Sequence, residues 1–159
     1  MWWKEIFFTG FYTGYCSIAP GTVATILAVI IYIIEFIIFG TGNYYFNAIV
    51  VLIMIYPSIK FGDAGEVFFN RKDPSEVVLD EMMGFWISVL FFPFNWKIVI
   101  LAFILFRIND ILKPYPIRKL EKFRGGLGIM MDDFISGIYT NLMIRIINII
   151  AGLAGIYIY

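Results

Sequence analysis

TVATILAVIIYIIEFIIF, residues 22–39, decides the fold class. Its eighteen residues carry one charge, Glu35, and as a helix would rise about 27 Å, close to the thickness of a bilayer's hydrocarbon core. The remaining chain has the same character: 61% of the 159 residues are hydrophobic and only 15% are charged, a balance that suits lipid better than water. We therefore expect an all-α, polytopic membrane helix bundle, a single integral membrane domain over residues 1–159.

Working outward, GTGN (40–43) reads as a tight turn and residues 44–59 as a second, slightly short span. A polar stretch, 60–79, follows. Residues 81–92 and 96–111 form short apolar segments joined through PFN, and 134–159 form a long final span. This makes about five apolar helical segments, some short or re-entrant. Before them, MWWKEIFF places a Trp pair at an interfacial N-terminal segment and lacks the small-residue cleavage site of a signal peptide.

Charge placement predicts the orientation. Of twelve Lys and Arg, Lys4, Lys60, Arg71, Lys72, Lys113, Arg118, Lys119, Lys122 and Arg124 lie in the N-terminus or in the polar stretches at 60–79 and 113–133. Arg107 and Arg145 lie within spans, and Lys97 alone falls in an opposite-side turn. By the positive-inside rule both polar stretches face the cytoplasm. Every acid except Glu35 follows them, so a site built from these residues would sit at the cytoplasmic boundary of an inner membrane.

Composition also excludes chemistry. Without histidine there is no Ser-His-Asp triad and little prospect of zinc, and the single cysteine, Cys16, cannot form an intrachain disulfide or a CxxC site. A net charge of zero with no polybasic arm gives no reason to expect nucleic-acid binding. Carboxylates remain as candidate metal ligands, which favours Mg, Mn or Ca.

Those carboxylates come in pairs at the borders of apolar segments: Asp80 and Glu81 in LDEMMGFW, Asp132 and Asp133 in GIMMDDFISG. One pair could simply cap a helix N-terminus. Two pairs with Asp110 at the same depth would repel one another strongly, so we expect a shared divalent cation. FRINDILKPYP spaces Arg107, Asp110 and Lys113 along one helix face; the plain alternative is an ion ladder, but Arg107 lies inside the apolar segment, where a charge is costly. Such a stripe suits a phosphate beside a metal, Arg offering a planar fork and Lys a point charge. In SIAPGTVAT, Pro20, Gly21 and Thr22 start a span whose free amides could meet an anion, although a turn and cap would explain the same residues. RGGLGIMMDD is glycine-rich but is no P-loop; it reads as a flexible loop or lid delivering Asp132 and Asp133. Arg145 and Asn148 read as polar glue between helices.

With these residues in view, the chain resembles the phosphatidylglycerophosphatase A family of bacterial inner-membrane lipid phosphatases. APGTVAT, DPSEVVLDEMMGFW, FRINDILKPYPIRKLE and GGLGIMMDDFISG look like the family's motif blocks in order and spacing. The resemblance implies Mg-dependent hydrolysis of phosphatidylglycerophosphate to phosphatidylglycerol and phosphate. It matches Asp80, Glu81, Asp110, Asp132 and Asp133 to the family's acidic positions, as catalytic residues and metal ligands, and Thr22, Arg107 and Lys113 to its polar, phosphate-binding ones. The expected partners are a phospholipid substrate and the membrane itself, with homo-oligomerisation left open. A water or an aspartate could be the nucleophile. The competing reading is a small cation transporter or channel using the same acids; acids at one boundary, and no inverted repeat, speak against it.

Overall fold

The computed structural model describes residues 2–120, 123 and 125–155. Among them there are only helices: α1 (Trp2–Phe8), α2 (Pro20–Phe39), α3 (Asn43–Phe69), α4 (Leu79–Ser88), α5 (Trp96–Leu112), α6 (Ile117–Leu120) and α7 (Gly126–Leu153), with two short 3-10 turns. The final residues of the expected last span, 156–159, and the charges Lys122 and Arg124 lie outside the described residues.

The expectation of about five apolar segments is met in part. Three helices, α2, α3 and α7, are long and apolar enough to cross a membrane. The fourth expected segment becomes α5, 17 residues, and the third becomes α4, ten residues that rise only about 15 Å. Nearly every residue of α4 is buried, which explains how so short a helix can lie at membrane depth: it is enclosed by protein, not by lipid.

The chain beyond α4 tests that explanation. Non-helical backbone at this depth needs partners for its carbonyl groups, because hydrocarbon offers none. The side chain of Asn141 on α7 donates to the carbonyl oxygens of Ile87, Ser88 and Leu90, and Arg145, one turn on, donates to Leu90 and to Asn141 Oδ1. Arg145 also lies over the Phe92 ring. Arg145 is thus the interhelical glue its position suggests, and Asn141 is its necessary companion.

Two sequence expectations need correction. The polar stretch from Lys60 does not leave the helix: α3 continues to Phe69, so its 27 residues, about 40 Å, outrun the bilayer core. Aromatic packing holds the extension, with Phe7 stacked on Phe61 and Trp3 edge-on to it from α1, the expected interfacial segment. Likewise Gly126 to Asp133 is neither loop nor lid but the first two turns of α7. A Cβ on Gly126 would collide with the carbonyl oxygen of Ile59, and one on Gly62 would lie 2.8 Å from Gly126 Cα. These glycines serve close approach of α3 and α7, and Asp63 Oδ1 accepts the Gly126 N–H at 2.7 Å.

α4 also crosses α7 at close range. Gly84 abuts the Phe106 ring and lies against the Asp133 carbonyl, and Gly137 packs against the Gly84 carbonyl, so a side chain at either would force the helices apart. This crossing sets the spacing of the acidic pairs carried one turn before each glycine.

Candidate active site

Four helix segments meet at one end of the bundle: the starts of α2 and α4, the end of α5, and the second turn of α7. Asp80 and Glu81 occupy the first turn of α4, yet the helix has no side-chain cap. Asp80 Oδ1 meets no backbone N–H, so capping does not account for its burial. One carboxylate oxygen each from Asp80, Glu81 and Asp133 falls within 4.8 Å of the others, while Glu81 Oε1 lies against Gly21 at the start of α2. Asp80 is 7% exposed and Asp133 2%.

Burial of three acids at this spacing is unfavourable without neutralisation. Asp80 Oδ1, Glu81 Oε2 and Asp133 Oδ1 are all buried and have no hydrogen-bond partner. A hard divalent cation supplies what such a set lacks, since Mg and Mn take carboxylate oxygens and need several around one centre. The residues present fit that group: acidic, converging and buried, each with one oxygen left unpartnered.

Asp110 links this trio to the cations. Its carboxyl lies within hydrogen-bonding reach of Asp133, and its Oδ2 sits 2.8 Å from Arg107 Nη1. Arg107 is 15% exposed at its side chain, its Nη1 is not aligned for a hydrogen bond, and its Nε has no partner. Its fork is positioned by Asp110 while keeping donors for another anion. Asp132 stands apart from the trio. Its Oδ2 takes Lys113 Nζ at 2.7 Å and its Oδ1 is buried without a partner. Lys113 caps α5 in the left-handed conformation, φ 46°, which turns the chain so that its ammonium reaches Asp132 on α7.

The contribution of α2 differs in detail from the sequence reading. It is Gly21, next to Thr22, whose position decides the contact: a Cβ there would collide with Glu81 Oε1 and stand 3.2 Å from Arg107 Nη1. Thr22 is half-buried in the same first turn. Sequence reasoning read Gly21 as part of a turn or an anion-meeting helix start, and not as the room that Glu81 and Arg107 need. The signal was present in APGT, but a glycine after proline suggests a turn before it suggests room for a neighbouring carboxylate.

Comparison with known proteins gives the family. The family model described as phosphatidylglycerophosphatase A matches residues 6–148. A protein of Bacteroides thetaiotaomicron, provisionally named a phosphatidylinositol-3-phosphatase, is 40% identical over 148 residues, covering 91% of this chain and 92% of its own. The phosphatidylglycerophosphatase A of Escherichia coli K12 is 32% identical, covering 82% of this chain and 75% of its own, and that of Haemophilus influenzae is 34% identical, covering 85% and 82%. No solved structure matches.

Proposed function

Because the chain belongs to the phosphatidylglycerophosphatase A family and is a phosphatase of phosphoric monoesters, we propose that it hydrolyses phosphatidylglycerophosphate to phosphatidylglycerol and phosphate, with magnesium, at the cytoplasmic face of an inner membrane. The observation that carries the reading is the buried trio of Asp80, Glu81 and Asp133, each with an unpartnered oxygen, beside an Arg107 with unpartnered donors. One surface of the site thus calls for a cation and the adjacent surface for an anion. A phosphomonoester with its metal answers both, whereas the cation-carrier reading leaves Arg107 as an obstacle and finds no counterpart in the names of the relatives.

In this mechanism Asp80, Glu81 and Asp133 would hold the magnesium ion. When bound, the ion supplies Lewis acidity to the phosphoryl oxygens and lowers the pKa of an attacking water. Arg107 grips the phosphoryl oxygens with its planar fork, oriented by Asp110, and strengthens that grip as charge spreads over them in the transition state. Lys113, at the rim, meets the phosphate as a point charge and fixes Asp132 through Oδ2. Asp132 Oδ1, buried and unpartnered, would take the proton given up by the water as it attacks phosphorus and return it to the glycerol oxygen that leaves as the ester P–O bond breaks. Burial of the trio keeps bulk water from screening these interactions.

The orientation follows from the Lys and Arg distribution: the site end of the bundle carries the basic residues, and the turn at Gly42 closes the opposite end. Labelling of Gly42→Cys, in a Cys16→Ser background, is expected only from the non-cytoplasmic side of intact vesicles; labelling from the cytoplasmic side would refute it.

The activity is tested by phosphate release from purified protein in mixed micelles, on a panel containing phosphatidylglycerophosphate, phosphatidylinositol 3-phosphate and phosphatidic acid. Turnover should be greatest on phosphatidylglycerophosphate and should require a divalent metal. Preference for the inositol lipid would transfer the proposal to the substrate named for the Bacteroides relative.

A further inference from the structure

Below the site, α2 and α5 diverge to leave a wholly apolar groove of about 480 Å³. Ile26 and Ile30 form one wall; Ile100, Phe103 and Ile104 form the other, and Trp96 closes the far end. From Ile104 to Trp96 is eight residues, about 12 Å along the helix. The four isoleucines are 46 to 57% exposed, so the groove opens to the surroundings along its length.

Its upper end is what distinguishes it. Arg107 follows Phe103 by four residues and Ile104 by three, continuing the same stripe of α5; Thr22 precedes Ile26 by four, continuing the same stripe of α2. The two helices close over the groove where Gly21 meets Arg107. A lipid whose phosphate lies on Arg107 therefore has an apolar channel leading directly away from its headgroup. A second apolar groove, about 440 Å³ and lined by Tyr45, Ile49, Leu52 and Phe91, lies against the first half of α3, and its lining contains no site residue and no residue within a helical turn of one.

We propose that the groove between α2 and α5 seats one acyl chain of the lipid whose phosphate is hydrolysed, an inference that rests on the phosphatase reading above. The chain's contact with both helix walls holds the headgroup ester at the depth of Arg107 and the acidic trio. The groove then selects for acyl chains long enough to reach toward Trp96, and a headgroup stripped of its chains forfeits that contribution to kcat/KM.

Two measurements test this. Ile30→Trp and Ile100→Trp fill the groove from opposite walls, while Ile49→Trp fills the unconnected one. The groove variants should raise KM for a long-chain substrate at least fivefold, leave kcat/KM for the deacylated glycerophosphoglycerophosphate unchanged, and affect a dihexanoyl substrate less; Ile49→Trp should change none of these. Equal losses on acylated and deacylated substrates, or none on either, would overturn the proposal. Independently of turnover, a non-hydrolysable phosphonate lipid carrying a mid-chain diazirine should crosslink to peptides of α2 and α5, and excess unlabelled phosphonate lipid should compete. Crosslinks distributed over all helices without competition would mean bulk lipid only, and crosslinks on α3 or Phe91 would place the chain elsewhere. Either result with intact turnover sinks the groove and spares the phosphatase; competed crosslinks on α2 and α5 with no turnover on any lipid phosphate would do the reverse.

Discussion

Two polar clusters lie inside this apolar bundle, and they are finished differently. At the end of α4, Asn141 donates to the carbonyl groups of Ile87, Ser88 and Leu90, and Arg145 donates through Nη2 to Leu90 and through Nε to Asn141. At the start of α4, Asp80, Glu81 and Asp133 converge with oxygens that meet nothing, and Arg107 Nε is equally unpartnered. The first cluster is glue, stable because it is complete. The second is incomplete by itself and becomes complete with a cation and an anion. Orphaned atoms alone do not make such a site: Glu35, Asn43 and Asn47, toward the opposite end, also leave buried atoms unpartnered, but with a single carboxylate. Converging acids next to a cation are what set the acidic end apart.

The contrast breaks most sharply at the acids. Asp80→Asn and Asp133→Asn should each lower kcat by at least about 100-fold, because a hard anionic ligand is lost, while the thermal stability of the purified protein holds or rises as buried like charges are relieved. If turnover survives in both variants, the acidic cluster is structural. Next, Arg107→Gln should cost roughly 2 to 4 kcal/mol of transition-state stabilisation, on the order of 30- to 1000-fold in rate, with Arg107→Lys recovering only part because an ammonium cannot form the bidentate fork. Steady-state kinetics on phosphatidylglycerophosphate decides between these and a purely structural ion pair, which Lys would restore.

Gly21→Ala is expected to reduce turnover by about tenfold, since its methyl group must displace Glu81 or the Arg107 fork, and its melting temperature should change little. The glue should respond in the opposite sense. Asn141→Leu leaves the buried Ser88 carbonyl without its side-chain donor and the Arg145 guanidinium without the Asn141 acceptor, and should destabilise the protein by about 1 to 2 kcal/mol, with kcat per folded molecule nearly unchanged. Thermal unfolding in detergent together with active-site-normalised rates would show it. An Asn141→Leu variant with full stability and lost activity would erase the distinction between the two regions.

Much of this was legible in the sequence for a definite reason: charges in a hydrophobic chain are rare enough that each is informative. Asp80, Glu81, Asp110, Asp133, Arg107 and Lys113 stand out against their surroundings, and the structure brings them to one end. Glycine was misread because it has two uses. In Gly126 and Gly128 a lack of side chain looked like flexibility, whereas Gly126 serves contact with Ile59 on α3. The polar composition after Lys60 suggested a loop, but α3 continues because its exposed end is held by Phe7, Phe61 and Trp3 stacking, a tertiary effect with no local periodic signature. Asn141 was invisible for a similar reason: an asparagine on a span has no evident task until the carbonyl groups it satisfies are known.

The central claim is that the trio at the start of α4 holds a divalent cation required for turnover. Mn, which takes the same oxygen ligands as Mg and is paramagnetic, can be titrated into metal-stripped protein while bound metal is followed by electron paramagnetic resonance and phosphate release is assayed in parallel. Saturable binding that tracks restored activity, and that is lost together with activity in Asp80→Asn, is the predicted result. Full phosphate release from chelator-treated protein, with no saturable Mn binding that Asp80→Asn abolishes, would contradict it.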